Sequence, residues 1–307
     1  MKFSDGNWMM REGFQVINPV EVHDFVINSQ SLDVYAPPKH IAGRGGQLDT
    51  PLLHIRYSSP IPDVICVRMT HHKGKLDQGP HYSINQSHAP IEITENEASL
   101  SLKSGQLSVK IRREQPWTVD YLWDNKRLTS SSSRGMGYLQ STDHTNYVRE
   151  QLDLSVGEFV YGLGERFTSF TKNGQIVDMW NRDGGTSTEQ SYKNIPFYIT
   201  NKGYGVFVNH PEEVSFEVAS EKVSKVQFSV SGEYLEYYII GGATLKDVLG
   251  NYTALTGKPA LPPAWTFGLW LTTSFTTNYD EKTVTSFVEG MAERNLPLRV
   301  FHFDCFG

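Results

Sequence analysis

The sequence HFDCFG, residues 302–307, follows the apolar run LPLRVF at 296–301. An acidic residue, a thiol and an aromatic ring at the end of a strand are the materials of a pocket lip. A second apolar run, TFGLWLT (266–272), leads into SFTTNYD (274–280), which places Phe275 in the equivalent position. An aromatic ring can stack on the face of a sugar, and a carboxylate such as Asp304 can accept hydrogen bonds from two neighbouring hydroxyls. The same residues also read as packing, with Phe275 and Phe306 as core plugs and Cys305 as a small buried hydrophobe. Local sequence leaves both readings open. A third stretch, NRDGGTS (181–187), joins Asp183 to small and hydroxyl-bearing residues. It reads either as a polar loop able to reach a ligand or as a surface turn.

Other motifs carry less chemistry. YGLGERF (161–167) contains G-x-G but lacks the third glycine of a dinucleotide fingerprint, and no βαβ context surrounds it. It reads as a turn leading into a strand. His71 and His72 are adjacent, so on a strand they face opposite sides and make a poor metal site. His302 is expected to pack or bond locally. There is no G-x-S-x-G elbow. Cys66 and Cys305 stand far apart with no C-x-x-C spacing, which argues against zinc and redox roles. No metal or cofactor is implied.

Two kinds of scaffold must position these stretches. Up to about residue 242 the sequence is a series of short alternating runs, among them VRMT (67–70), IEIT (91–94), LSLK (100–103), LSVKI (107–111), VSFEV (214–218) and VQFSV (226–230). Alternation broken by Gly, Asn and Ser means half-buried antiparallel strands, spaced as in a sandwich. KSGQ (103–106) and NKGYG (201–205) read as hairpin turns, and SSSSRGMG (130–137) as a loop or flexible tip. TLKDVLGNYTALTG (244–257) then reads as a helix capped by Thr244 and ended by Gly257, with Leu245, Val248, Leu249, Tyr252 and Leu255 on one stripe. The connector KPALPPAW (258–265) is followed by strand, loop, helix and strand. The helix spans 281–295 behind Asp280 as N-cap, with Val284, Phe287, Val288 and Met291 on one face. This order is one βαβ unit and implies a parallel sheet. The expected domains are therefore a sandwich at 1–242, a connecting helix at 243–257 and the opening of a barrel at 258–307.

The chain has 307 residues, a length that favours two domains. Its net charge of −6 (28 basic, 34 acidic) gives no basic face for nucleic acid. No signal peptide and no apolar run of membrane-spanning length is seen. The expectation is a cytoplasmic protein that binds neither nucleic acid nor membrane.

Longer blocks carry a resemblance. VYGLGERFTSF (160–170), WNRDGGTSTEQSYKNIPFYIT (180–200) and YGVFVNHPEEVSFEV (204–218) resemble the N-terminal, galactose-mutarotase-like β-sandwich of glycoside hydrolase family 31. LPPAWTFGLWLTTSFTTNYD (261–280) and NLPLRVFHFDCF (295–306) resemble the opening of that family's (β/α)₈ barrel. Within the family the likeness is greatest to bacterial α-xylosidases. Family α-glucosidases typically end the second strand with Asp-Ile-Asp-Tyr, where this chain has Asp304, Cys305 and Phe306.

The resemblance implies that Asp304 hydrogen-bonds sugar hydroxyls and that Phe275 walls the same subsite. It implies that Cys305 and Phe306 crowd the place where glucose carries its C5 hydroxymethyl, a group xylose lacks, and that Asp183 reaches over the barrel mouth to the sugar. The implied reaction is retaining hydrolysis of α-xylosides from the non-reducing end, by two carboxylates about 5 Å apart. In the family both stand on later barrel strands, so no catalytic residue is assigned within this chain, which is expected to be inactive alone. The family pattern continues past Cys-Phe with an aromatic; here Gly307 stands and the chain ends, which reads as a truncation. Two alternatives remain: an α-glucosidase of the same family, and a non-catalytic carbohydrate-binding sandwich.

Overall fold

The computed structural model describes residues 1–6, 9–74, 80–181, 193–273 and 276–303. It divides into two compact units, Met1–Gly257 and Lys258–Gly307.

The first unit is a β-sandwich of antiparallel strands. Among the described residues its larger sheet has 11 strands and its smaller sheet 8. The smaller sheet runs, edge to edge, through Val160–Gly162, Phe197–Thr200, Tyr204–Val208, Tyr234–Gly241, Val64–Thr70, Leu53–Ser58, Ser31–Ala36 and Asp24–Ile27. The period-2 pattern is what places the core. Leu53, Ile55 and Tyr57 point inward and are fully buried, whereas His54 and Arg56 between them point outward. Val67 and Met69 do the same on the neighbouring strand, with Arg68 and Thr70 outward. Each fully buried aliphatic side chain contributes roughly 1.5–3 kcal/mol. The alternating runs expected from sequence all lie within observed strands or overlap them.

A carboxyl group lies among the buried polar groups of the first unit. Glu150 is fully buried. It accepts hydrogen bonds from the Ser131 hydroxyl at 2.7 Å, the Gln151 N–H at 2.8 Å and the Tyr237 hydroxyl at 3.0 Å. The Tyr121 hydroxyl lies 2.9 Å from that of Tyr237. Burial pushes the Glu150 carboxyl up to about 7, and these hydrogen bonds keep it from rising further.

Two local readings need correction. SSSSRGMG (130–137) is a loop only at 132–136: Ser130 and Ser131 end the strand Lys126–Ser131, and both are buried, as is Met136. The hydroxyls are satisfied inside, Ser130 donating to Asp120 and Ser131 to Glu150. YGLGERF also differs in order, because the strand Val160–Gly162 precedes the turn. Gly162, Leu163 and Gly164 all have positive φ, at 106°, 66° and 85°. A Cβ on Gly164 would lie 1.9 Å from the Lys193 carbonyl oxygen, so the second glycine permits a close backbone approach.

The helix Leu245–Thr256 starts with a full capping box, Thr244 with Asp247, and ends at Gly257. It packs on part of the outer face of the smaller sheet. Val248 and Leu255 are buried there with Phe197, Phe207, Tyr238 and Ile240, and the Tyr252 ring stacks on Phe197 at 4.0 Å. The expected stripe is narrower than read: Leu245 and Leu249 are 42% and 46% exposed.

In the second unit the strands Leu269–Leu271 and Leu298–Phe301 pair in parallel, joined through the helix Glu281–Glu293. This is the expected βαβ unit. Asp280 caps the helix, accepting the Thr283 N–H at 3.0 Å, and this bond holds its carboxyl below the usual range. The first strand is shorter than the apolar run 266–272. Pro263 directs the chain into a 3₁₀ turn, Ala264–Phe267, in which Thr266 and Gly268 N–H groups bond back to Pro263 and Trp265.

Candidate functional site

The five residues expected to touch sugar, Asp183, Phe275, Asp304, Cys305 and Phe306, lie outside the described residues. The elements that precede each are described, and they define where those positions start.

In the second unit the parallel register pairs Leu269 with Leu298, Trp270 with Val300 and Leu271 with Phe301. Both strands therefore run out at the same, carboxyl edge. The backbone N–H of His302 still donates to the Leu271 carbonyl at 2.8 Å, the last rung before that edge. Residue 275 follows one strand and 304–306 follow the other, so their attachment points share one edge. An open parallel sheet puts its ligands at that edge.

Aromatic residues floor this edge. The rings of Phe301 and Phe303 lie 5.4 Å apart, and Tyr279 packs on Phe303 at 5.2 Å. Threonines fill the turn after the first strand: Thr277 donates to the Thr273 hydroxyl at 2.7 Å, and Thr272 lies 3.4 Å from the Tyr279 hydroxyl. Tyr279 was not singled out in the sequence; its signal is an aromatic one residue before a helix cap. His302 packs edge-on to Trp270 at 6.3 Å, the local role expected of it.

In the first unit the segment holding Asp183 leaves the strand Gln175–Met179 and returns before Phe197–Thr200. Its base is tied by a side chain the sequence reading passed over. Arg166 donates from Nε to the Leu163 carbonyl at 3.1 Å and from one terminal nitrogen to the Asp178 carbonyl, also at 3.1 Å. The same nitrogen bonds the Asn194 side-chain oxygen. The Asn194 amide then donates to the Asn181 side-chain oxygen at 2.6 Å, closing the base. The Glu165 N–H adds a bond to the Lys193 carbonyl at 3.0 Å. A planar guanidinium with fixed donors suits such bridging. The sequence signal was limited to GER directly after the G-x-G turn, because the partners Asp178 and Asn194 lie 12 and 28 residues further along the chain.

His71 lies 2.7 Å from Glu233 and stacks on Tyr138 at 3.7 Å. No cluster among the described residues could hold a metal ion.

Comparison with known proteins follows the same two-part division. Residues 54–217 match the family model described as the glycosyl hydrolase 31 N-terminal galactose mutarotase-like domain. Residues 259–307 match that of the glycosyl hydrolases family 31 TIM-barrel domain. Alpha-xylosidase XylQ of Lactiplantibacillus pentosus is 47% identical over all 307 residues, which span 40% of its length. An alpha-xylosidase of Emericella nidulans is also 47% identical over the whole chain, which spans 42% of it. Among solved structures, a cycloalternan-forming enzyme from Listeria monocytogenes in complex with a pentasaccharide superposes with TM-score 0.78 at 20% identity, over 97% of this chain and 27% of that one. That likeness is one of fold.

Proposed function

This chain belongs to glycoside hydrolase family 31, and we propose that it supplies the sandwich and the opening of the barrel of a retaining α-xylosidase. The observation that carries this reading is the 47% identity, over the full chain, to two relatives called alpha-xylosidases. In this reading the substrate is an oligosaccharide with α-linked D-xylose at its non-reducing end. In the same reading Phe275 and residues 304–306 contact the sugar. Asp304 accepts hydrogen bonds from sugar hydroxyls and is not the nucleophile. Cys305 and Phe306 fill the volume that a C5 hydroxymethyl would need, so glucosides lose through clash and through unmade hydrogen bonds. Asp183 reaches the sugar from a loop whose base Arg166 ties. The nucleophile and the acid/base are carboxylates outside residues 1–307, about 5 Å apart as retention requires. A buried free thiol at Cys66 is compatible with a cytoplasmic location.

The deciding experiment uses a chain extended to the length of the xylosidase relatives. Turnover of an aryl α-xyloside at higher kcat/KM than the matching α-glucoside is expected, and the reverse preference would make the protein an α-glucosidase. The 307-residue chain alone is expected to turn over neither. If that chain is folded, inactive and gives heat on titration with xylose, the carbohydrate-binding reading gains.

A further inference from the structure

The outer face of the smaller sheet is only partly covered by the helix Leu245–Thr256. Elsewhere it carries two cross-strand rows of polar side chains. One row pairs Asp33 with Arg56, Arg56 with Arg68, and Arg68 with Glu236. The next pairs Tyr35 with His54, His54 with Thr70, and Thr70 with Tyr234. A cleft of about 360 Å³ opens over these rows, walled by Lys73, His210, Glu212 and Ser231. That volume is at the small-ligand end of the usual range.

The donors and acceptors around this cleft are unequally committed. Asp33 is saturated, accepting from Asn28, Ser31, His54 and Arg56. Glu233 accepts from Tyr138 and Asn146 and pairs with His71. Glu236 accepts from Asn209 and Tyr238. The cations keep donors in hand. Arg68 sits over the Tyr234 ring at 4.5 Å and reaches Glu236 only at 3.6 Å. Lys73 has no hydrogen bond or ion pair among the described residues. His210 is 7% exposed, lines the cleft and leaves its Nε2 without a hydrogen-bond partner, 3.9 Å from Glu212. An unpaired polar atom this deeply buried costs free energy that a ligand group can recover.

A surplus of donors calls for a ligand that accepts. Of the side chains lining the cleft, two are carboxylates, Glu212 and Glu233, and three are cations, Arg56, Arg68 and Lys73, so the lining has a single positive excess, enough for a monoanion but not for a dianion. Thr70, Ser231 and Glu212 offer the complement for neutral hydroxyls. We propose that this cleft binds a small polyhydroxylated monocarboxylate, a sugar acid of the uronate class, with its carboxylate on Arg68 and Lys73. The site lies wholly in the first unit and does not depend on the xylosidase reading.

The test is calorimetric titration of the 307-residue chain with D-glucuronate, D-glucose, D-xylose and inorganic phosphate. Glucuronate should bind, with glucose and xylose weaker by about tenfold or more, the scale of one charge-assisted hydrogen bond. Arg68→Gln, checked for an unchanged melting temperature, should weaken glucuronate by a similar factor. If that variant does not fold, the exposed Lys73→Gln serves in its place. The proposal is overturned by absence of heat with a folded chain, by equal binding of glucose, by tighter binding of phosphate, or by an affinity that neither substitution changes.

Discussion

Glu150 shows how a single buried carboxyl sets a pH dependence. Its ordinary value is 4.5 and burial raises it to about 7 in the folded chain. Between those values the unfolded chain loses the proton while the folded chain keeps it. Stability contributed at this site therefore falls as pH rises through that window, by a few kcal/mol at most. Carboxylates held low by partners, such as Asp33 and Glu233, act with the opposite sign and lose their contribution as pH falls. The difference between parent and Glu150→Gln isolates the one group. In urea unfolding at pH 5 and pH 8, the variant should gain on the parent at the higher pH. A gap that does not change with pH would remove the argument. Phe306 tests specificity at the same scale. In the extended enzyme Phe306→Asp, which restores the residue type of related α-glucosidases, should shift the glucoside-to-xyloside ratio of kcat/KM upward by about tenfold or more.

At the level of elements, the described residues that flank 182–192 and the helix Leu245–Thr256 depend on side chains that satisfy backbone groups. Arg166→Ala would leave the Leu163 and Asp178 carbonyls without these donors. The expected cost is about 1–3 kcal/mol, read as a lower melting temperature. If the loop base also positions Asp183, the same variant of the extended enzyme should raise KM for xyloside more than a purely structural loss of the same size elsewhere in the sandwich. Thr244→Ala removes one half of the capping box, and with it about 0.5–2 kcal/mol. The helix buries Val248 and Leu255 against the sheet, so fraying at its start should be felt in global unfolding rather than only locally.

For the molecule as a whole, the two units differ in how well they cover their own apolar surface. The first buries most of its large hydrophobic side chains, and the interior of its sandwich is continuous. In the second, Trp265, Phe267, Leu269 and Trp270 are 55%, 75%, 44% and 50% exposed, and neither helix nor strand has a fully buried residue. Exposed apolar faces and a two-stranded sheet with open edges favour self-association. Residues 1–307 should therefore scatter light at lower protein concentration than residues 1–257. Equal solubility of the two would count against this view.

Sequence alone determined the strands of the sandwich, the helix behind Thr244, the βαβ order after Pro263 and the family. Those signals are local or are carried in long contiguous blocks: alternation of period 2, a cap followed by a 3.6-residue stripe, two glycines on either side of Leu163. Element edges were less legible. Proline turned Thr266 into a 3₁₀ turn where apolar content suggested strand, and SSSSRGMG read as loop or tip from its first serine, although Ser130 and Ser131 belong to a strand, because hydroxyls that bond inside a protein resemble hydroxyls that face water. Tertiary structure decided what no local pattern encodes. Arg166 ties Asp178 and Asn194 across 12 and 28 residues of sequence, and the cleft over Arg68 exists because registers far apart in sequence place Thr70 opposite both His54 and Tyr234. Pairing across a sheet is set by long-range register, and that register brings together side chains whose spacing along the chain carries no hint of their meeting.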